Sequence, residues 1–242
     1  MEWSESGRIL SVRPYGETSV IVEILTRDHG RHPGMVRGGR SRAMRPVLQP
    51  GNRVRATWRA RLSDHLGNFQ IEAEDAAVGA VMEDRLALAG LNAACALALA
   101  ALPEREAHPR VHDAFEILVA SLTDPDIWPA VYVRFEAGLL ADLGYGVDLR
   151  SCAATGTREG LIYVSPRTGR AVSAEAGEPY KDKLLALPGF MKGEGAIEPG
   201  DIASGLKLTG HFLERRLLWP SDRLLPDART RMMERLEAAD RL

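Results

Sequence analysis

The chain has 242 residues, of which 45% are hydrophobic and 26% charged, values typical of a soluble globular protein with one large domain or two ordinary ones. Its N-terminus is acidic and polar, and its longest uncharged run, residues 86–103, is alanine-rich and contains Asn92. A secretory signal and a membrane span are therefore not expected. The two cysteines, Cys95 and Cys152, give no disulfide framework, so we expect a cytoplasmic protein.

Charge is distributed unevenly behind a formal net charge of −2. Residues 1–80 carry twelve arginines, no lysine and nine carboxylates, a net of +3. Residues 81–242 carry nineteen basic and twenty-four acidic residues, a net of −5. Arginine binds phosphate in two-pronged geometry, so the first part is the candidate for contact with a polyanion.

Residues 7–79 show five short strands separated by turn signals. The predicted strands are Arg8–Arg13, Ser19–Thr26, one that ends near Val36, one that begins at Arg53, and Asn68–Glu74. Five strands at this spacing predict a small barrel. The oligonucleotide-binding (OB) barrel matches the size, and a five-stranded barrel of another lineage is the competing interpretation.

Nine arginines and no aspartate or glutamate fall between residues 31 and 61. Residues 53–62 alternate in character, which predicts a strand with two different faces because successive side chains point to opposite sides. One face carries Arg53, Arg55, Thr57, Arg59 and Arg61, and the other carries Val54, Ala56, Trp58, Ala60 and Leu62. A flexible basic loop carries Arg37, Arg40, Arg42 and Arg45. We expect these eight arginines to lack counter-charges and to neutralise phosphates without reading sequence, whereas a solvated strand face is the alternative.

The pattern changes to helical periodicity near residue 80. Helices are predicted from Glu83 to Pro103 and over 109–123, 129–143, 201–218 and 228–241, with Gly144 ending the third. Between the third and fourth helices, residues 152–173 contain turns around the apolar strand Leu161–Val164, which indicates a small inserted hairpin. The predicted domains are therefore residues 1–79 and 80–242, with the hairpin at about 150–175.

Several segments in order resemble the bacterial DNA repair protein family RecO over essentially the whole chain. They are Glu17-Thr18-Ser19, Leu25-Thr26, Val36-Arg37-Gly38-Gly39-Arg40-Ser41, Leu48-Gln49-Pro50-Gly51, Arg134-Phe135-Glu136, Leu143-Gly144-Tyr145-Gly146 and Cys152. The resemblance implies an α+β protein with an N-terminal OB barrel and a C-terminal helical domain. It also implies a recombination mediator that binds single- and double-stranded DNA, anneals complementary strands and, with RecR, loads RecA onto DNA coated by single-stranded-DNA-binding protein. Such a protein would be associated with the nucleoid.

Many proteins of that family carry a four-cysteine zinc ribbon where this chain has its inserted hairpin. The four ligand positions here are Cys152, Thr155, Ser165 and Thr168. Structural zinc needs four thiolate or imidazole ligands. We therefore predict a degenerate, zinc-free hairpin held by packing, and no other cofactor.

The family resemblance also implies that the helical domain receives the acidic C-terminal tail of single-stranded-DNA-binding protein. That tail would need an apolar groove with a basic rim. The predicted groove residues are Phe135, Leu208 and Phe212, with Arg134 and Lys207 at the rim. Solvated surface charge is the alternative interpretation of the two basic residues.

No residue pattern indicates catalysis, so we expect a protein that is not an enzyme. The chain has no Walker loop, no Gly-x-Ser-x-Gly and no His-Glu-x-x-His. His108 and His112 lie four apart but have no third ligand nearby, and His29 and His32 are expected to face water or phosphate. Two alternatives to DNA binding stay open: a protein-interaction scaffold that never touches nucleic acid, and RNA binding by the same barrel.

Overall fold

A computed structural model describes the backbone of residues 1–242 and every side chain except those of residues 77 and 78. The chain divides into two compact units. The first comprises Met1–Thr123 and Pro226–Met232, and the second comprises Asp124–Leu225 and Met233–Leu242.

The first unit contains a closed barrel of five strands in the order β1-β2-β3-β5-β4. The strands are β1 (Glu2–Tyr15), β2 (Ser19–Thr26), β3 (Gly30–Val36), β4 (Arg53–Arg59) and β5 (Asn68–Asp75). The first half of β1 pairs with β4 and its second half with β2, with a bulge between Ile9 and Ser11. A bulge bends a strand and increases its twist, which lets this long strand serve both neighbours. A single parallel pairing, Met35 with Asn68, joins β3 to β5 and closes the barrel.

The predicted alternation of β4 is confirmed within the strand. Val54, Ala56 and Trp58 are buried in the barrel core, where they meet Ile9 and Ile24 among other residues. The prediction extended the strand too far, however, because β4 ends at Arg59 and the Leu62 side chain is 52% exposed. The segment after Arg59 turns away from the barrel, so the period-2 pattern continues there without a sheet to bury its apolar side.

Helices follow the barrel, as the sequence predicts. Their bounds are α1 (Ala77–Val81), α2 (Arg85–Ala101), α3 (Pro109–Ser121), α4 (Trp128–Asp142), α5 (Ala174–Gly177), α6 (Asp201–Phe212) and α7 (Asp227–Ala238). Asp84 caps α2, since its carboxylate accepts hydrogen bonds from the backbone of Leu86 and Ala87. Gly144 has φ of 84° directly after α4, a left-handed conformation that glycine adopts without strain and that ends the helix.

The inserted hairpin is present in the second unit as a small sheet in the order β7-β6-β8. Its strands are β6 (Leu161–Val164), β7 (Ala171–Ser173) and β8 (Leu185–Ala186). The sequence pattern did not indicate α1, α5 or β8, which are each five residues or shorter. The predicted helix 201–218 is continuous but changes after Phe212 into a π-helical turn, Leu213–Leu218.

The first compact unit extends beyond the predicted boundary at residue 79 and includes α2 and α3. Arg8 on β1 explains part of this difference. Its guanidinium is buried and donates two hydrogen bonds, of 2.8 and 2.9 Å, to the carboxylate of Glu116 on α3. A third hydrogen bond, of 3.0 Å, goes from Arg8 to the carbonyl of Gly51. This hydrogen-bonded ion pair, between a buried guanidinium and a partly buried carboxylate, holds the helix on the barrel.

One end of the barrel is filled by aromatic rings. Trp3 stacks on His29 with ring centroids 4.1 Å apart, and His32 meets Trp58 edge to face at 4.8 Å. The His32 side chain is buried, and this burial lowers the pKa of its imidazole to about 4. His32 is therefore neutral at pH 7 and behaves as part of the core.

Removing the Arg8 partner should destabilise the first unit. The substitution Glu116→Gln removes the hydrogen-bonded carboxylate of the buried Arg8 guanidinium and leaves it with the carboxylate of Asp75, 3.5 Å away. We expect a loss of about 2–3 kcal/mol in the free energy of unfolding, measured by urea unfolding. The matched control is Glu2→Gln, because Glu2 forms an exposed ion pair with Arg59. The control should unfold like the parent protein, and equal losses in both variants would contradict the structural role of Glu116.

The burial of His32 predicts a specific pH dependence of stability. Between pH 6.5 and 4 the unfolded state binds a proton at this imidazole and the folded state does not, so stability falls as the pH drops below 6.5. The full effect is up to about 3 kcal/mol. Urea unfolding followed by tryptophan fluorescence should show this slope in the parent protein and a flatter profile in His32→Asn. Parallel profiles would show that His32 is not the group responsible.

Candidate nucleic-acid interface

The arginines on the outer face of β4 are paired with carboxylates of neighbouring strands. Arg53 lies 3.3 Å and Arg55 3.9 Å from Glu74 on β5. Arg59 donates a 2.7 Å hydrogen bond to Glu2 on β1, and this bond lowers the pKa of the Glu2 carboxyl. The expectation that these arginines lack counter-charges is therefore wrong. The antiparallel register places acidic residues of β1 and β5 on the same outer face as the β4 arginines.

The basic loop between β3 and β4 is a series of hydrogen-bonded turns rather than an irregular flexible segment. The backbone NH of Arg40 donates to the carbonyl of Thr18, and its guanidinium donates to the carbonyls of Gly16 and Glu17 at 3.2 and 2.9 Å. These bonds fasten the middle of the loop to the β1–β2 turn. At the far end, the buried Asn52 amide donates to the carbonyls of Pro46 and Val47.

Arg37, Arg42 and Arg45 on this loop are exposed, and none forms an ion pair with any residue whose side chain the structure describes. Arg45 and Arg40 line a cavity of about 390 Å³ between the loop and the β1–β2 turn, together with Ser41 and Glu17. Arg61 is also exposed, but it lies beyond the end of β4. The structure therefore separates seven of the eight predicted arginines into a paired strand group of three and a loop group of four held on a hydrogen-bonded backbone, and Arg61 belongs to neither group.

The two histidines that flank the β2–β3 turn do not extend this basic surface. His29 Nδ1 lies 2.8 Å from Glu5, and the ring stacks on Trp3. The His32 side chain is buried, which corrects the expectation that it faces water or phosphate. Both rings belong to the aromatic cluster at the end of the barrel.

The predicted peptide groove of the second unit is not an open groove. Phe135, Leu208 and Phe212 are exposed by only 2%, 1% and 0% respectively, so these three side chains form core packing and cannot receive a peptide without rearrangement. Arg134 and Lys207 are exposed, as a rim would require. The apolar periodicity of α4 and α6 is explained by the core of the unit alone.

The four positions at which the family resemblance implies zinc ligands are engaged in local hydrogen bonds. The Thr155, Ser165 and Thr168 hydroxyls accept from the backbone NH groups of Thr157, Thr168 and Arg170. The Cys152 sulfur accepts from the backbone and the hydroxyl of Ser173 at 3.3 and 3.4 Å. One thiol and three hydroxyls do not fit a structural zinc ion, which requires thiolate or imidazole ligands.

The two cysteines have opposite electrostatic environments. Burial by itself raises the pKa of the Cys152 thiol, but hydrogen bonds from Ser173 and Thr155 outweigh it and lower the pKa to about 6. Burial raises the pKa of Cys95 to about 12.

In the described part of the chain, the pair His108 and His112 does not form part of a metal site. His112 Nδ1 lies 3.1 Å from a carboxylate oxygen of Asp113. Among the residues with described side chains, no three His, Cys, Asp or Glu residues are placed to hold a metal ion.

Sequence reasoning missed the carboxylates that pair with the β4 arginines. The signal was present in β5, where Glu72 and Glu74 alternate with apolar residues and so mark the outer face of the adjacent strand. The partner of Arg8 gave no comparable signal, because Glu116 is 108 residues away in the chain.

The chain belongs to a class of α+β proteins with a basic barrel surface. Its closed five-stranded barrel carries exposed arginines on a structured loop and is followed by helices and a small hairpin sheet. Comparison with known proteins narrows this class. The family model described as recombination protein O N terminal matches residues 1–75, and the one described as recombination protein O C terminal matches residues 82–224. The chain therefore belongs to the RecO family.

Curated relatives extend over the full chain. A protein of Phenylobacterium zucineum is 56% identical over 243 residues, covering 100% of both chains, and one of Caulobacter vibrioides strain NA1000 is 53% identical over the same extent. A protein of Methylobacterium nodulans is 55% identical and covers 95% of each chain. All three carry the name DNA repair protein RecO. Within the described part of the chain, no helix has the length and apolarity needed to cross a membrane.

The donor set of the hairpin predicts that the protein binds no structural zinc ion and that its stability does not depend on a metal. Elemental analysis of the purified protein should find less than about 0.1 zinc per chain, because hydroxyls replace three of the four ligands. Treatment with EDTA should leave the thermal unfolding midpoint unchanged. A stoichiometric zinc content, or a clear loss of stability with the chelator, would contradict a hairpin held by hydrogen bonds and packing.

Proposed function

We propose that this protein acts in DNA repair and that its barrel loop holds DNA by the phosphate backbone. The observation that carries the proposal is the contrast between two sets of arginines. The β4 arginines are paired with glutamates, whereas Arg37, Arg42 and Arg45 are exposed and free of ion pairs within the described part of the chain. Unpaired guanidinium groups on a fixed backbone supply the sequence-independent attraction on which phosphate binding depends.

The barrel is proposed to be an oligonucleotide-binding fold. Support comes from its five strands, its closed order β1-β2-β3-β5-β4 and the basic loop between β3 and β4. Base stacking is expected to contribute little, because Trp58 is buried and Trp3 already stacks on His29. Binding should therefore be dominated by phosphate contacts, with weak preference for sequence and with single- and double-stranded DNA both accepted.

The proposed activity is annealing of complementary strands and mediation of recombination. Neutralising phosphates on two strands lowers their mutual repulsion, which is the main electrostatic obstacle to pairing. The relatives are named DNA repair proteins, which favours DNA over RNA as the physiological ligand. Partnership with RecR, and the loading of RecA onto DNA coated by single-stranded-DNA-binding protein, complete the proposal. This role requires no catalytic residue and places the protein in the cytoplasm at the nucleoid.

The acidic tail of single-stranded-DNA-binding protein remains a proposed partner of the second unit. Arg134 and Lys207 are exposed and are suitable for contact with carboxylates. The buried phenylalanines and Leu208 are left out of the proposed contact surface because they belong to the core. A pull-down with the tail peptide, comparing the parent protein with Arg134→Gln/Lys207→Gln, tests this part separately from DNA binding. Equal retention of both proteins would remove these two residues from the proposal.

The loop assignment makes a quantitative prediction for DNA binding. With four loop arginines contacting phosphates, log K should fall with log salt concentration at a slope of roughly −3 for single strands. The variant Arg37→Gln/Arg42→Gln/Arg45→Gln should bind a labelled oligonucleotide roughly a hundredfold more weakly near 0.1 M salt, with a slope smaller in magnitude by about 2. Fluorescence anisotropy in a salt series measures both quantities.

The matched control is Arg53→Gln/Arg55→Gln/Arg59→Gln, which removes the same number of charges from arginines that are already paired. This control should bind within about threefold of the parent protein. If the control loses as much affinity as the loop variant, net charge rather than the loop determines binding. If neither variant changes binding, the protein-interaction scaffold becomes the better account of the barrel.

A further inference from the structure

The inserted hairpin carries a basic cluster that the DNA-binding loop does not explain. Residues 148–173 contain four arginines and two carboxylates, whereas the remainder of 81–242 contains fifteen basic and twenty-two acidic residues. The hairpin is thus a region of net charge +2 within a sequence of net charge −7. Like charges repel, so gathering arginines in one small element has an electrostatic cost unless an anion is bound there.

Three of these arginines line one cavity in the second unit. The cavity has a volume of about 340 Å³ and is lined by Asp148, Arg150, Ser151, Gly156, Arg158 and Arg170. Its lining therefore contains three guanidinium groups and one carboxylate.

That one carboxylate is already neutralised. Arg150 donates hydrogen bonds of 2.9 and 3.1 Å to the two oxygens of Asp148, and these bonds, with a smaller effect of Arg170, lower the pKa of Asp148 to about 2. Arg158 and Arg170 are exposed and form no ion pair with any residue whose side chain is described. Two positive charges of the cavity are therefore left for a ligand.

The backbone around the cavity is held in place by hydrogen bonds. Ala153 NH donates to Ala171, and Ala171 NH donates to Asp148, which links the two turns of the hairpin. The Cys152 sulfur accepts two hydrogen bonds from Ser173 in the same region. Gly156 has φ of 76°, a conformation that glycine adopts without strain, and it closes the turn that precedes Arg158. Hydrogen bonds within the hairpin thus define the positions of the backbone that carries its arginines.

A second cavity at the hairpin also carries positive charge. Arg167, on the second turn of the hairpin, and Lys183 line this cavity of about 770 Å³, and no carboxylate contributes to its lining. A single phosphate ion would occupy one site only. Several cations on adjacent cavities fit an anion with charges at repeated intervals, which is the chemistry of a nucleic-acid backbone.

We propose that the hairpin is a second phosphate-binding site, centred on Arg158 and Arg170, which holds a second DNA strand while the barrel loop holds the first. This inference rests on the proposed function of the loop. It assigns a role to an element whose zinc-ligand positions do not fit zinc. Annealing needs two strands on one protein, and two separate cationic sites supply them without competition for the same arginines.

The test uses the full chain and two non-complementary single-stranded oligonucleotides with different fluorophores. Energy transfer between the two labels reports simultaneous binding, and anisotropy of one label alone reports binding of the first strand. The variant Arg158→Gln/Arg170→Gln should keep first-strand affinity within about threefold of the parent protein, lose most of the energy transfer and anneal complementary strands at least about fivefold more slowly. The control Lys181→Gln/Lys192→Gln removes equal charge from lysines paired with glutamates and should behave as the parent protein.

The outcomes separate this inference from the proposed function. Unchanged energy transfer and annealing in Arg158→Gln/Arg170→Gln would overturn the hairpin site and leave the loop site intact. The hairpin site would also be overturned if the parent protein shows no energy transfer while the loop variant loses binding of the first strand. If the parent protein binds no oligonucleotide, both proposals fail. A competition experiment with inorganic phosphate, compared with sodium chloride at equal ionic strength, identifies the ligand of the hairpin. If millimolar phosphate selectively displaces the second oligonucleotide, the hairpin is a site for the free ion, and the assignment of a DNA strand to it is overturned.

Discussion

The ion pair between Arg8 and Glu116 is the interaction on which the first unit depends. Arg8 lies in the middle of β1, the strand shared by both halves of the barrel, and its guanidinium is buried. A charge in that position is tolerated only when its hydrogen bonds are satisfied. Two bonds to Glu116 and one to Gly51 meet this requirement and fasten α3 to the barrel wall. The barrel and the first long helices therefore form one compact unit.

The same requirement for counter-charges divides the other arginines by role. On β4, Arg53 and Arg55 share Glu74, and Arg59 pairs with Glu2. These arginines therefore stabilise the sheet surface and offer less net charge to a ligand than unpaired arginines do. On the β3–β4 loop, Arg37, Arg42 and Arg45 form no ion pair with any residue whose side chain is described, and they keep their charge exposed. The number of arginines alone says little about polyanion binding, because the neighbouring carboxylates decide how many remain available.

The hairpin of the second unit has turns that are held by hydrogen bonds, with a donor set that does not suit zinc. In a zinc ribbon the metal crosslinks two turns. Here each hydroxyl or sulfur at a ligand position accepts hydrogen bonds from nearby groups, and backbone bonds join the two turns. The turns remain defined, and arginines that follow them occupy fixed positions around a cavity. Charge presentation is a function that such a scaffold can perform without a metal.

The local sequence pattern was sufficient to predict the structure wherever the conformation of a residue is controlled by its neighbours in the chain. The strand Ser19–Thr26, the inward face of β4 and the end of α4 at Gly144 all followed from residue type and spacing, because side-chain alternation and backbone φ are local properties. The predicted groove in α4 and α6 was wrong because helical periodicity marks an apolar face but not whether another element covers it. Likewise, the pairing of Arg59 with Glu2 joins residues 57 apart, and that of Arg8 with Glu116 joins residues 108 apart. The sequence by itself determined the five barrel strands, the longer helices and the inward face of β4, and it indicated the family. Only the tertiary structure decided which arginines are neutralised and which apolar residues are covered, since both depend on contacts between segments that are distant in the chain.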